Sequence, residues 1–242
     1  MLNIVIPMAG RGSRFADVGY QLPKPLIDVK GRTMINVVID NLRPKTLHRF
    51  IFICQSSHLT NFPLEKVLRE AALESEIIEV SSITDGAACT VLLAKRLIDS
   101  DDELMIANCD QYLDLNINEY IKFTRTQRTE GCILTMKSNE SKWSYIKFDT
   151  DKKILGVVEK EVVSDEATVG VYNFRKGREF VQAAEKMIES NERVNDEFYV
   201  APVYNRLLDK GSLISYVNVS AFNGKMFGLG TPKDLEEFLK TS

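Results

Sequence analysis

Histidine, tryptophan and cysteine are scarce in this sequence of 242 residues, which holds two histidines, one tryptophan and four cysteines. The cysteines are far apart, show no CxxC spacing and mostly lie in apolar runs, where a free thiol behaves as a small hydrophobic group. The histidines have no partner at the spacing that metal ligands need. Structural packing or a solvated surface, and no zinc site, is therefore predicted for Cys54, Cys89, Cys109, Cys132, His48 and His58.

Excess positive charge and long apolar runs are lacking as well. The chain has 31 Lys and Arg against 34 Asp and Glu, a formal net charge of −3, whereas a nucleic-acid groove needs a clustered positive stripe. The N-terminus has neither the basic region nor the cleavage site of a signal peptide, and no apolar run is long enough to cross a bilayer. The sequence thus predicts a cytoplasmic protein without nucleic-acid partners or membrane insertion.

No repeat, low-complexity tract or linker interrupts the chain, and a hydrophobic content of 44% can fill a core. Short apolar runs alternate with helical patterns, which is typical of a Rossmann-like α/β fold with a mixed, mainly parallel sheet flanked by helices. Strands are predicted over residues 3–7, 49–54, 77–80, 104–107, 132–137, 145–149, 154–158 and 168–174. Helices are predicted over residues 34–41, 64–73, 87–98, 118–127, 177–190, 197–208 and 233–240.

The first predicted strand runs directly into a loop with two glycines and two arginines. Gly10 and Gly12 lack a Cβ, so the backbone can approach a phosphate chain closely, while Arg11 and Arg14 offer forked donors to phosphate oxygens. The loop is neither a dinucleotide-binding fingerprint, since its third glycine is missing, nor a P-loop, since Lys24 has the wrong spacing. A solvated turn is the alternative. The nucleotide contacts predicted here are Met8, Ala9, Gly10, Arg11, Gly12 and Ser13.

Two later segments also suit a nucleotide. Asp110 closely follows the predicted strand 104–107, and a carboxylate at the carboxyl end of a strand can bind Mg²⁺ while phosphates fill other ligand positions. Asp85, Gly86 and Ala87 begin a helix with small side chains, which let a flat base approach the backbone. Both segments have a structural alternative as helix caps or turns. Asp110 is predicted to bind nucleotide and metal, and residues 85–87 to bind nucleotide.

Glu159 and Lys160 follow the predicted strand 154–158. The carboxylate can accept protons from sugar hydroxyls, and the amine can meet a phosphate. A solvated ion pair on an exposed strand end is the alternative. This pair is therefore a candidate site for a phosphorylated acceptor.

The stretch from Gly10 to Phe15, with Pro23-Lys24-Pro25-Leu26 after it, resembles the N-terminal signature G-x-G-[ST]-R-[LF] and PKP-L of the nucleotidyltransferases that make activated sugars. The resemblance implies that Arg14 and Lys24 stabilise charge at the α-phosphate. It also implies Mg²⁺ at Asp110. The acceptor contacts implied by resemblance are Ser144, Glu159, Lys160, Gly170 and Glu197.

One position departs from the pattern of this family. The segment 227–232 resembles the family's closing D-x-G-T-P, but Gly228 stands where many members carry a second metal-binding aspartate. Two expectations follow. Either Mg²⁺ is held by Asp110 with phosphates and water, or a nearby acid, Asp196 or Glu197, takes the second position.

The resemblance implies an enzyme that joins a nucleoside triphosphate to a phosphorylated acceptor and releases pyrophosphate. We expect one domain over residues 1–242, with a nucleotide-binding half over 1–131 and an acceptor-binding half over 132–242. A pyrimidine base is expected on family grounds alone. A role in capsule or surface polysaccharide synthesis is expected because the segments 108–111, 142–145 and 195–199 resemble a capsule-biosynthesis subgroup often labelled family-2-like glycosyltransferases. The acceptor is a sugar 1-phosphate or a non-sugar such as phosphocholine or a phosphorylated amino acid, and a homo-oligomer is left open.

Two other functions fit parts of the sequence. A GT-A glycosyltransferase related to family 2 would use a finished nucleotide-sugar and would need the metal carboxylate, but it has no use for Arg14 and Lys24 at an α-phosphate. A protein that only binds nucleotide would explain Gly228. Nucleotidyl transfer is the function that uses all of the motifs.

Overall fold

The computed structural model describes residues 1–241, and its framework is a nine-stranded sheet. The strands in this part of the chain are β1 (Leu2–Met8), β2 (Asp28–Val29), β3 (Arg32–Thr33), β4 (His48–Gln55), β5 (Glu76–Val80), β6 (Glu103–Ala107), β7 (Gln111–Asp114), β8 (Gly131–Lys137), β9 (Ser144–Phe148), β10 (Ile154–Glu159), β11 (Glu166–Phe174), β12 (Ile214–Asn218) and β13 (Lys225–Gly228). The helices are α1 (Ser13–Ala16), α2 (Met34–Leu42), α3 (Ser56–Asn61), α4 (Leu64–Ala71), α5 (Ala87–Leu92), α6 (Lys95–Ile98), α7 (Ile117–Thr126), α8 (Gly177–Glu189), α9 (Val203–Asp209) and α10 (Pro232–Leu239). Single 3₁₀ turns cover Lys24–Leu26 and Val219–Phe222.

The strand order confirms the predicted α/β class. The sheet runs β10-β9-β11-β6-β1-β4-β5, and β8 pairs with both β11 and β12. Strands β5, β4, β1 and β6 are mutually parallel, whereas β11 is antiparallel to β6 and to β8. Parallel strands place their carboxyl ends at one edge, where ligands of open α/β sheets gather.

Both faces of the sheet are covered, because successive residues of a buried strand point to opposite sides. Ile4 and Ile6 of β1 join one apolar cluster, and Val5 between them joins another. Helix α2 packs on the first side through residues 35, 38, 39 and 42, a helical i, i+3, i+4 spacing. Each of these side chains contributes roughly 1.5–3 kcal/mol by leaving water.

All eight predicted strands occur, with bounds that differ by at most two residues. Residues 149–151 form the turn of a hairpin, since Asp149 N–H donates to Lys153 O and β9 pairs with β10. Strands β2, β3, β7 and β13 were not predicted, and neither was β12 of the large sheet. It lies parallel to β8, and that pairing joins residues more than 80 positions apart, which local patterning does not show.

Two helix predictions need correction. The helix predicted over 87–98 is two helices, because the bonds Leu93 N to Thr90 O and Ala94 N to Val91 O tighten the chain between them. The helix predicted over 197–208 begins only at Val203. The chain before Val203 is not helical because the backbone of Phe198 bonds to another segment. Its N–H donates to Asp85 O, and its carbonyl oxygen accepts from Ala88 N–H.

None of the helices within residues 1–241 has the length and apolar character that a membrane crossing requires. In the same residues, no three His, Cys, Asp or Glu side chains converge as a metal-binding group.

Candidate active site

A cavity of about 610 Å³ opens at the carboxyl ends of β1 and β6 and continues across β9, β10 and β11. The predicted site residues on its wall are Met8, Gly10, Gly12, Arg14, Lys24, Ala87, Asp110, Ser144, Glu159, Lys160, Gly170 and Glu197. The predicted residues that do not line the cavity are Ala9, Arg11, Ser13, Asp85 and Gly86. The structure therefore brings both predicted catalytic residues and all predicted acceptor residues to one cavity.

The glycine loop makes a sharp turn after the carboxyl end of β1. Gly12 lies in the left-handed region, with φ of +62°, and opens the short helix α1. Phe15, one residue past Arg14, is buried and anchors this helix, so the arginine side chain stays at the exposed rim of the cavity. A Cβ at Gly12 would lie 3.6 Å from Lys24 Cβ, which shows how closely the loop approaches the lysine.

Lys24 and Asp110 form an ion pair in the cavity floor through Lys24 Nζ and Asp110 Oδ2. Their side chains are only 19% and 23% exposed. Burial by itself would lower the pKa of Lys24, but the Asp110 carboxylate outweighs it and the pKa lies above its ordinary 10.5. A charged lysine is thus held beside the carboxylate that the sequence assigned to a metal.

Gly230 makes this ion pair sterically possible. A Cβ at residue 230 would lie 2.8 Å from Asp110 Oδ2 and 3.8 Å from Lys24 Nζ. The neighbouring backbone is fixed too, because Leu229 N–H donates to Asp110 O at 2.8 Å. The C-terminal segment therefore closes the floor around Asp110.

The acceptor side of the cavity, the part where the sequence predicts the acceptor contacts, carries polar groups that range from the buried Ser144 to the exposed Lys160. Ser144 Oγ donates to Glu159 Oε2, and Lys160 Nζ donates to the hydroxyl of Tyr199. Burial raises the pKa of Glu159 above 4.5, against the hydrogen bond from Ser144, which lowers it. Burial and a hydrogen bond with Glu197 raise the pKa of Tyr199. Hydroxyl-bearing and anionic groups of a small molecule both find partners here.

Gly170 lies at a bulge of β11, between Thr168 and Tyr172, with φ of +75°. A Cβ there would lie 2.3 Å from Asn108 Nδ2 and 2.5 Å from Gln111 Oε1. Glycine is needed at this position because those two amide side chains fill the space beside it.

The space beside Gly228, where many family members carry an aspartate, is bordered by Asp234 and Trp143. A Cβ at Gly228 would lie 3.7 Å from Asp234 Oδ2 and 3.7 Å from the ring of Trp143. Asp234 is in the first turn of α10, its side chain is 18% exposed, and it pairs with Lys142 at 3.2 Å. Asp196, one expected substitute, is off the cavity wall, and the other, Glu197, lies on the acceptor side.

Sequence reasoning missed several residues of the wall, including Asn195, Tyr199, Lys142 and Asp234. Tyr199 stands in a segment already matched to the family, so position in that segment was an available signal. Asp234 had none, because its approach to Gly228 depends on how α10 follows β13. Cys109 also lines the wall, and burial raises the pKa of its thiol to about 12, so the thiol stays protonated.

The formal charges on the cavity wall balance. Its cationic side chains are four, namely Arg14, Lys24, Lys142 and Lys160. Its carboxylates are also four, namely Asp110, Glu159, Glu197 and Asp234. The wall therefore carries no net formal charge. A ligand in the cavity contacts individual positive and negative side chains.

This fold and cavity define an α/β protein with a polar cavity at the carboxyl ends of its parallel strands, and comparison with known proteins gives its family. The family model described as "Nucleotidyl transferase" matches residues 4–238. The chain belongs to the nucleotidyl transferase family, which confirms the family resemblance seen in its motifs.

Individual relatives are distant. The chain is 21% identical over 182 residues to the bifunctional protein GlmU of Methanocaldococcus jannaschii, covering 72% of this chain and 40% of that protein. It is 25% identical over 181 residues to the mannose-1-phosphate guanylyltransferase catalytic subunit beta of Xenopus tropicalis, covering 72% and 49%. The chain thus spans about half the length of the curated relatives that it matches.

Solved structures match over nearly the full length of the chain. The nucleoside-diphosphate-sugar pyrophosphorylase of Vibrio cholerae RC9 superposes with a TM-score of 0.80 and 26% identity, covering 98% of this chain and all of the other. The predicted fold class is confirmed by this match. The capsule-related subgroup expected from the sequence stays a prediction.

Proposed function

We propose that this protein transfers the nucleotidyl group of a nucleoside triphosphate to the phosphate of a small acceptor, with release of pyrophosphate. The observation that carries the proposal is the placement of two groups of residues in one cavity. Arg14, Lys24 and Asp110 lie on one side, and Glu159 with Lys160 on the other. The family membership and the names of the relatives, which include a pyrophosphorylase and a guanylyltransferase, support the same reaction class.

The proposed reaction is an in-line displacement. An oxygen of the acceptor phosphate forms a bond to the α-phosphorus, and the bond from that phosphorus to the bridging oxygen of pyrophosphate breaks. The nucleophile is already an anion, so the reaction needs positioning and charge neutralisation more than a general base. Arg14 and Lys24 would meet the charge that gathers on the α-phosphate, and Lys160 would hold the attacking phosphate.

The division of labour follows the halves of the chain. Residues 1–131 would hold the triphosphate and base, with Ala87 as the wall residue from the small-side-chain segment. Residues 132–242 would supply the acceptor contacts Ser144, Glu159, Lys160, Gly170 and Glu197. A pyrimidine base, a sugar 1-phosphate acceptor and a role in surface polysaccharide synthesis inside the cell complete the proposal, and the motif resemblance supports them.

Asp110 and Asp234 would hold Mg²⁺ together with phosphates and water. Both are carboxylates on the cavity wall, the ligand type that Mg²⁺ prefers, and Asp234 Oδ2 lies against the space left by Gly228. When bound, the ion would neutralise phosphate charge. Asp110 Oδ2 is paired with Lys24, so an ion bound at Oδ2 would replace the lysine, whose amine would then turn to a phosphate oxygen.

Moving the carboxylate from residue 234 to residue 228 tests this metal assignment. Asp234→Asn should weaken Mn²⁺ binding, measured by calorimetry with a non-hydrolysable triphosphate present, by on the order of tenfold or more. The double variant Gly228→Asp with Asp234→Asn should recover much of that affinity, since a carboxylate returns beside the same space. Glu237→Gln, on the exposed side of α10, is the matched control. Unchanged Mn²⁺ affinity in Asp234→Asn would remove Asp234 from the metal site.

Glu159 gives a pH test of the acceptor side. Its pKa is raised, so the carboxylate becomes protonated at a higher pH than an ordinary glutamate does. The protonated group is a donor at one oxygen and a weaker acceptor of hydrogen bonds from hydroxyls. The value of kcat/KM for the acceptor should fall on the acid side with an apparent pKa above 4.5. Glu159→Gln should raise the acceptor KM, leave the triphosphate KM nearly unchanged, and abolish this acid limb. The same acid limb in Glu159→Gln would show that another group titrates.

Pyrophosphate release tests the reaction itself. Purified protein with Mg²⁺ is supplied with CTP, UTP, dTTP, ATP or GTP and with a panel of acceptors that includes glucose 1-phosphate, phosphocholine and phosphoserine. Release that requires one triphosphate and one acceptor supports the proposal. Release of nucleoside diphosphate from a nucleotide-sugar, with no pyrophosphate from any triphosphate, would favour the GT-A glycosyltransferase.

A further inference from the structure

Arg193 joins two segments that meet at the rim of the cavity. Its Nη2 donates to Asp85 Oδ2 at 2.9 Å, and its Nη1 donates to Asp196 O at 3.0 Å. Its guanidinium carbon lies 4.2 Å from the centre of the Phe198 ring. One side chain thus holds the 85–88 segment, the 194–197 turn and a buried aromatic ring at once, a use that suits the planar fork of arginine.

Each segment held by Arg193 presents residues to the cavity. Ala87 comes from the 85–88 segment, and Asn195, Glu197 and Tyr199 come from the turn and the residues after it. The turn is tight: Val194 and Glu197 exchange both backbone hydrogen bonds, and the two residues between them have φ of +48° and +64°. Glu197 is therefore placed by a turn whose carbonyl at Asp196 is fixed by Arg193.

The backbones of the two segments also touch directly. Phe198 bonds to Asp85 and Ala88 through its N–H and C=O, and a Cβ at Gly86, where φ is +127°, would lie 2.5 Å from the Phe198 backbone. Since these contacts do not involve the arginine, we expect the segments to stay docked when it is removed. Arg193 adds a link between the side chain of Asp85 and the 194–197 turn. A shift of the 85–88 segment is therefore transmitted to the turn.

We propose that Arg193 is a positioning residue that couples occupancy of the nucleotide side of the cavity to the geometry of the acceptor side. This inference rests on the proposed function, since it needs a nucleotide beside the 85–88 segment. Binding of nucleotide orders that segment, and Arg193 transmits the order to Glu197 and Tyr199. By thermodynamic reciprocity, acceptor bound at Glu197 strengthens nucleotide binding by the same factor.

The test is hydrogen–deuterium exchange with and without bound nucleotide. The α,β-methylene analogues of CTP, UTP, dTTP, ATP and GTP are first screened for binding by calorimetry with Mg²⁺. In the unmodified protein, the analogue that binds should slow exchange over residues 84–90 and over 194–200. In Arg193→Met the first protection should persist, and the second should fall by on the order of tenfold. Arg193→Lys, which keeps charge beside Asp85 without the second donor arm, should be intermediate.

Arg206→Met is the matched control. Arg206 is 26% exposed against 32% for Arg193, and it pairs with Glu192 and Asp209, outside the 85–88 segment. Protection in this variant should equal that of the unmodified protein. Equal protection over 194–200 in Arg193→Met would overturn the coupling role and leave the proposed function standing. Failure of every analogue to bind would instead overturn both, because no nucleotide would then be present to couple.

Discussion

Arg14→Ala should lower kcat by on the order of a hundredfold or more while the protein stays folded. The guanidinium stands at the exposed rim of the cavity, past the left-handed turn at Gly12, and it would stabilise charge that builds up on the α-phosphate. Loss of a transition-state contact lowers kcat and kcat/KM together. Steady-state pyrophosphate release and a thermal melt of the same preparation measure the two effects.

Arg178→Ala serves as the control for Arg14→Ala. The side chain of Arg178 is 41% exposed, and it pairs with Asp101 outside the cavity. Its removal should change stability by no more than about 0.5 kcal/mol and leave turnover intact. Normal turnover in Arg14→Ala would exclude this arginine from the mechanism.

Lys24→Met should have a still larger effect, on the order of 100- to 1,000-fold in kcat, because it removes a charge in the cavity floor. It also leaves the Asp110 carboxylate without its cation. Since both side chains are about a fifth exposed, the expected loss in the free energy of unfolding is about 1–2 kcal/mol, less than for a fully buried pair.

The double variant Lys24→Met with Asp110→Asn separates the two roles of the lysine. Removing both charges leaves no buried carboxylate without a partner, so stability should return towards that of the unmodified protein. Turnover should stay low, because both proposed catalytic contributions are gone. Recovery of activity in the double variant would mean that the ion pair only holds the floor together.

The sequence predicts a structural feature well when the residues that determine it are close together in the chain. Strand β1 and the Gly12 turn are local: an apolar run followed by glycine and arginine is enough to place Arg14 at the end of a buried strand. Asp110 is nearly as local, since it closely follows β6. These residues were predicted in their structural context, and the cavity joins them.

Features set by long-range contact were not visible in the sequence. The helix predicted over 197–208 fails at its start because the backbone of Phe198 bonds to Asp85 and Ala88, more than 100 residues earlier. Asp85 also pairs with Arg193, and it does not line the cavity. Periodicity reports which side chains are apolar, but it cannot report which distant backbone groups compete for a hydrogen bond.

The balance of four cations against four carboxylates on the cavity wall has a kinetic consequence. A cavity of one sign draws a charged ligand in from a distance and makes association depend steeply on ionic strength. A wall with no net charge exerts little long-range attraction. The rate at which a triphosphate associates should therefore depend only weakly on ionic strength, since at 0.1 M salt charges more than about 10 Å apart are screened in any case. Under the proposed function, recognition would occur at contact, where Lys24 exchanges Asp110 for a phosphate oxygen, and selectivity would come from how fast a wrong ligand leaves.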